Sequence, residues 1–222
     1  MIVAVHQPNY VPYLGFYHKM ARADVFVLYD TAQYSKNELH NRNRIKTAKG
    51  VQWLTVPVRR AAFQRIKDTE IAPSTWPEKH RKAIEANYRR APYYASYAPD
   101  LLKLLRGPWH RLAELNIALI ELVSRWLSIE AKLVRSSTLP TPASEDPTDK
   151  LLHFTQACGG TIYLSGPGGH GYLEEAKFGP ISLQYDEFVA RPYPQLFGEF
   201  VPNLSVIDAL FNCGESTSNL LA

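Results

Sequence analysis

Two hydrophobic periods alternate along the chain, and their order predicts an open α/β fold. Ile2 to Val5 is an apolar run of strand length, and Tyr13 to Ala21 carries the spacing of a helix. Val25 to Asp30, VFVLYD, is a second β-prone run, so strand, helix and strand follow within thirty residues as a right-handed parallel unit. The stretch NRNRIKTAKGVQWLTVPV has a turn signal at Gly50 and an apolar run of Trp53, Leu54, Val56 and Val58, and reads as an antiparallel hairpin inserted after the second strand. From Trp76 the period becomes helical. Pro77 suits a first helical position, and Ile84, Tyr88 and Ala91 mark one face. A second helix is expected over Tyr93 to Leu105, ended by Gly107-Pro108, and a third over His110 to Ser128 that is apolar nearly all round.

The strand period returns at Ala131 to Thr138. Asp146-Pro147-Thr148-Asp149 is a capped helix start and Gly159-Gly160 a stop. Thr161 to Ser165 reads as a buried strand opening into the glycine-rich loop Gly166 to Tyr172, with a helix expected over Tyr172 to Phe178. A last strand at Ile181 to Tyr185 and a helix at Leu204 to Asn212 close the chain. The layout is that of a doubly wound, mostly parallel, Rossmann-like sheet carrying an inserted hairpin and a helical subregion at about 76–128. It is read as one domain over residues 1–222.

In such folds ligands bind beyond the carboxyl ends of the strands, which singles out the turn after the first strand. His6, Gln7, Asn9 and Tyr10 fall there, stiffened by Pro8 and Pro12. His6 is the candidate general base, since an imidazole titrates near neutrality, and Asp30, ending the second strand at the same edge, is the candidate to orient it. Lys19 would steer a phosphate or carboxylate; its plain alternative is a surface lysine. Gln33 offers an amide to orient a substrate. In Asn41, Arg42, Asn43 and Arg44 a strand period would put the two arginines on one face and the two asparagines on the other, one pair facing a phosphate. The loop that opens with Ser165 and Gly166 has small residues that let backbone approach a ligand, both residues being substrate-binding candidates, and its expected helix would offer an N-terminal dipole to an anion, with Tyr172 as the contributing side chain. It lacks the Lys-Ser/Thr pair of a P-loop. Ser165 as an acyl-carrying nucleophile is a weaker alternative, because no nucleophile-elbow pattern surrounds it.

Charge sharpens this picture. The formal net charge is +4, but residues 1 to 91 hold 16 Lys and Arg against 7 Asp and Glu, and the remainder 9 against 14. A basic first part favours a polyanionic partner such as a nucleotide, coenzyme A or tRNA; the bland alternative is a solvated basic surface. Cys158 and Cys213 have no metal-ligand spacing and read as small buried side chains. No run of about 18 apolar residues and no signal-peptide pattern is present, so a soluble, cytoplasmic protein without a membrane partner is expected.

The motifs HQPNYVPYLGFYHK, VFVLYD with Gln33, NRNRIK, WLTVPV, YLSG with Tyr172, and the C-terminal YPQ, F and PNLSVIDALFN occur in the order seen in the WbqC-like family of bacterial proteins, which the chain resembles from residue 2 to about residue 214. Members are often encoded among O-antigen and amino-sugar biosynthesis genes. The resemblance implies a biosynthetic transferase on nucleotide-linked sugars or similar small molecules, with acyl or aminoacyl transfer to an amine as the preferred reaction. Coenzyme A thioester and aminoacyl-tRNA are the alternative donors. The first turn is also similar to that of nucleotidyltransferases with a HIGH-type signature, but Tyr13-Leu14-Gly15-Phe16 stands where the paired histidines would be. Nucleotidyl transfer and a non-catalytic sugar-nucleotide or partner-binding module are the competing readings.

Overall fold

The computed structural model describes residues 1–59 and 62–221. In chain order the elements are β1 (Ile2–His6), α1 (Leu14–Ala21), β2 (Val25–Leu28), β3 (Arg42–Thr47), β4 (Gly50–Thr55), α2 (Trp76–Tyr88), α3 (Tyr94–Leu105), α4 (Leu112–Trp126), β5 (Lys132–Arg135), α5 (Pro147–Ala157), β6 (Ile162–Ser165), β7 (Ser182–Tyr185) and α6 (Val206–Cys213). Five strands form a parallel sheet in the order β5-β2-β1-β6-β7, while β3 and β4 pair separately as an antiparallel hairpin. The predicted α/β class is therefore the observed one.

The side-chain period of the strands explains why both sheet faces are covered. Val3, Val5, Val25 and Val27 point to one face, where Leu151 and Phe154 of α5 pack. Ala4, Phe26 and Leu28 point to the other, joining Phe16 and Met20 of α1 and the apolar ridges of α3, α4 and α6. A parallel sheet covered on both sides needs near-continuous apolar strands, as found in the central β1 and β2, whereas the edge strands β5 and β7 are more polar and partly exposed. The Asp146 carboxylate caps α5 by accepting from the Asp149 N–H at 2.9 Å. No helix among the described residues is long and apolar enough to cross a membrane.

Three expectations are corrected. Tyr172 to Phe178 is not an α-helix: the loop forms short 3-10 turns at Pro167–Gly171 and Glu175–Lys177, because its glycines and proline disfavour longer helical runs. It therefore supplies no helix dipole. The strand expected to reach Thr138 stops at Arg135 and enters a 3-10 turn at Ser136–Thr138. Cys158 and Cys213 are half-buried rather than buried, and both are free thiols pushed up in pKa by desolvation, which makes them poor nucleophiles.

Residues 186–203 run as an irregular strap between β7 and α6, held down by two polar clusters. Lys46 of β3 donates through Nζ to Gln195 Oε1 and to the carbonyls of Gly198 and Glu199. Asp208 accepts from the Tyr88 and Tyr193 hydroxyls at 2.7 and 2.9 Å. The NRNRIK, YPQ and SVID motifs thus meet one another, and what they hold in place is the strap.

Candidate functional site

The strand order reverses between β1 and β6: from β1 the sheet continues through β2 to β5 on one side, and from β6 to β7 on the other. The carboxyl ends of these neighbours feed loops that leave in opposite directions, and a cavity of about 570 Å³ opens at that switch point. His6 and Gln7 enter it from the end of β1, Lys19 from α1, Ser165 from the end of β6, and Gly166 and Tyr172 from the loop that follows.

The His6 ring packs edge-on against Phe16 with centroids 4.9 Å apart. Its Nδ1 lies 3.0 Å from the Gln7 carbonyl; because a carbonyl only accepts, Nδ1 carries the proton and Nε2 keeps its lone pair. Burial, assisted by the charge of Lys19 and opposed by the bond to Gln7, lowers the imidazole pKa to about 3. His6 is thus a neutral ring near neutrality. Lys19 is itself buried, not a surface lysine: Nζ donates to the Val5 carbonyl at 3.0 Å and stands beside Gly166. Desolvation draws its pKa down to about 8, against the opposing pull of Asp186.

Asp30 sits at the strand edge where the sequence placed it, but it does not orient His6. Its carboxylate accepts from Ser136 Oγ at 2.8 Å, Ser137 N at 2.9 Å and Ser137 Oγ at 2.7 Å, and the one N–H of His6 is already given to Gln7. Asn9 is buried in the turn and does not line the cavity. Tyr10 donates its buried hydroxyl to His80 Nδ1 at 2.8 Å, the His80 Nε2–H going to the Thr55 carbonyl. Gln33 bridges Arg65 and lines a different, smaller cavity.

The period-two expectation for the NRNR strand is met, yet neither face reaches the larger cavity. Arg42 and Arg44 lie on the outside over Trp53, at 4.3 and 5.9 Å from the ring, and donate to the Asn37 and Asn203 carbonyls. Asn41 joins the Val56 carbonyl to the Tyr34 hydroxyl. Asn43 Nδ2 donates to the Tyr10 and Val11 carbonyls at 3.2 and 2.7 Å, and Ser205 Oγ also donates to Val11 O. Val11 has φ +40°, an unfavourable conformation for a β-branched residue, so these bonds brace a strained point of the first turn.

Several lining residues escaped the sequence reading. Asp186 follows β7 at the same strand edge, a placement that the rule used for Asp30 would have caught. It is buried and bonded to His18 Nδ1 at 3.0 Å and Arg22 at 2.7 Å, which ties the strap to α1. Tyr13 and Phe188 form an aromatic pair over Gly15, where an added Cβ would meet their rings at 2.5 and 2.7 Å. Tyr29, Glu145 and Lys150 complete another wall.

Ser165 Oγ donates to the Gly166 carbonyl at 3.0 Å and lies under Gly169, where an added Cβ would sit 2.1 Å away. Gly169→Ala is expected to cost about 1–3 kcal/mol through this overlap, read as a lowered urea midpoint with an unchanged slope. An unchanged midpoint would show that the loop shifts freely.

An open, doubly wound sheet with a neutral imidazole, a buried lysine and a glycine loop around a cavity at its switch point defines a Rossmann-like protein. The WbqC-like protein family matches residues 7–219, and the chain belongs to that family. It is 36% identical over 227 residues to the uncharacterized protein Rv1507c of Mycobacterium tuberculosis, covering 99% of this chain and 96% of that protein. No solved structure matches the chain.

Proposed function

We propose that the protein is a biosynthetic transferase that moves an acyl or aminoacyl group onto the amine of a nucleotide-linked amino sugar or related metabolite bound in the larger cavity. The observation that supports this most is the pairing of a neutral His6, with a lone pair on Nε2, and a buried Lys19 in one cavity at the switch point. In the reaction the amine nitrogen bonds to the carbonyl carbon of the activated donor, the bond from that carbon to its sulfur or oxygen carrier breaks, and the amine gives up a proton. Nε2 accepts the hydrogen bond from the amine as positive charge develops there. Because the imidazole holds a proton only weakly, Nε2 passes it on to the departing sulfur or oxygen of the carrier, which leaves protonated. Lys19, in its ammonium form, stabilises the negative charge that builds on the carbonyl oxygen.

The direct test is product formation. The purified protein is given a nucleotide-linked amino sugar with acyl-coenzyme A or aminoacyl-tRNA donors, and mass spectrometry follows amide formation at the amine. Release of pyrophosphate from a nucleoside triphosphate instead, or ligand binding without product from any donor, would replace this reading.

A pH profile tests the role of Lys19. Its lowered pKa means that the ammonium is present below, and lost above, about 8. Accordingly kcat/KM is expected to fall as pH rises through that value. Lys19→Met should lower kcat/KM and remove the alkaline limb; a limb that persists in that variant belongs to another group.

A further inference from the structure

A second cavity, of about 310 Å³, lies beyond the carboxyl ends of β2 and β5 and shares Tyr29, Glu145 and Lys150 with the larger one. Its chemistry is different. Arg65 and Lys67 line it, and among the described residues neither makes a side-chain hydrogen bond or ion pair. Their backbone is fixed all the same. Ile66 N donates to Ala32 O at 2.8 Å, Lys67 N to Asp30 O at 2.9 Å, and Gln33 bridges Arg65. On the opposite side, Ser136 and Ser137 are held by the three hydrogen bonds to Asp30 described above, and Thr31 Oγ1 lies 2.8 Å from Ser136 Oγ. Asp30 is buried beneath this wall and is not itself a lining residue.

The partition between the cavities is an ion pair, Lys150 Nζ to Glu145 at 2.5 Å, and the Glu145 side chain is 96% exposed. With its carboxylate in water the pair is held weakly, although the Lys150 side chain is only 22% exposed, so an anion entering the smaller cavity can take Lys150 from Glu145. Three cations would then surround it. A guanidinium and two ammonium groups on fixed backbone suit the adjacent oxygens of a diphosphate, the guanidinium binding two of them at once.

We propose that the smaller cavity is a diphosphate-binding site for a nucleotide-type substrate whose reactive end lies across the Glu145–Lys150 partition in the larger cavity. The site itself stands on the geometry of the second cavity; the reach into the larger one rests on the transfer reaction proposed above. Both coenzyme A, as donor, and a nucleotide-linked sugar, as acceptor, carry this group.

Inorganic pyrophosphate titrated into the full-length protein, followed by backbone amide NMR, tests the site. Saturable shifts are expected at residues 31–33, 65–67 and 136–139. The double variant Arg65→Ala/Lys67→Ala should weaken binding about tenfold or more, both changes lying at a surface where they do not disturb the core. Lys19→Met should leave this binding unchanged. Shifts confined to residues 6–7 and 165–169 and lost in Lys19→Met, or no saturable shift at all, would overturn the site while leaving the transfer reaction to its own product assay. With pyrophosphate bound, displacement by coenzyme A alone assigns the site to the donor and displacement by uridine diphosphate alone to the acceptor. Displacement by neither overturns the nucleotide assignment.

Discussion

Replacing His6 by alanine is expected to reduce turnover of the proposed transfer reaction by about a hundredfold. The loss comes from removing Nε2, the acceptor available to the attacking amine, since Nδ1 is committed to the Gln7 carbonyl. The same change also deletes the edge-on contact with Phe16, so circular dichroism and a melting curve must accompany the rates. His6→Gln separates the two effects. It restores a polar acceptor without the ring, and recovery of part of the rate in a protein no more stable than the alanine variant locates the loss in the chemistry. Full activity in His6→Ala would make the histidine a brace of the first turn.

Asp30→Ala is expected to act on stability. The carboxylate accepts three hydrogen bonds while only 1% exposed, and its removal leaves the Ser137 N–H and two hydroxyls without their acceptor. A cost of roughly 3 kcal/mol follows, or a melting temperature lower by roughly 6–12 °C for a chain of this size. At temperatures where the variant is folded, its rate should fall far less than that of His6→Ala. A normal melting curve with a hundredfold slower reaction would return Asp30 to the catalytic role that its position at the strand edge suggested.

The contrast between these residues shows how far the sequence could be read. Sheet and helices were legible because burial on two faces imposes a period on every element, visible in Val3, Val5, Val25 and Val27 against Ala4, Phe26 and Leu28. The switch-point turn was legible for the same reason: it follows an apolar strand and precedes a helix. What the period cannot tell is where a polar side chain spends its hydrogen bonds. Asp30 and Asp186 both follow a strand at the same edge, yet one is absorbed by two serines and the other lines the larger cavity. Asn41 and Asn43 sit in a motif that looks like a ligand site, but their amides satisfy carbonyls of the first turn and of Val56. Lys19 falls on a helix whose mostly apolar faces gave no sign that its one lysine would be drawn inward. These outcomes depend on contacts between distant segments, which a local pattern does not encode.

The pairing of β1 with β6 carries a consequence for how the protein comes into being. Ala4 is in register with Leu164, so the two halves of the larger cavity lie about 160 residues apart along the chain. On the ribosome the first turn emerges early and must wait, its imidazole and lysine without their facing wall, until the glycine loop has been made. Such long-range parallel pairing is slow to form. The nascent chain therefore passes through a stage in which much of the helical core can assemble while the larger cavity does not yet exist.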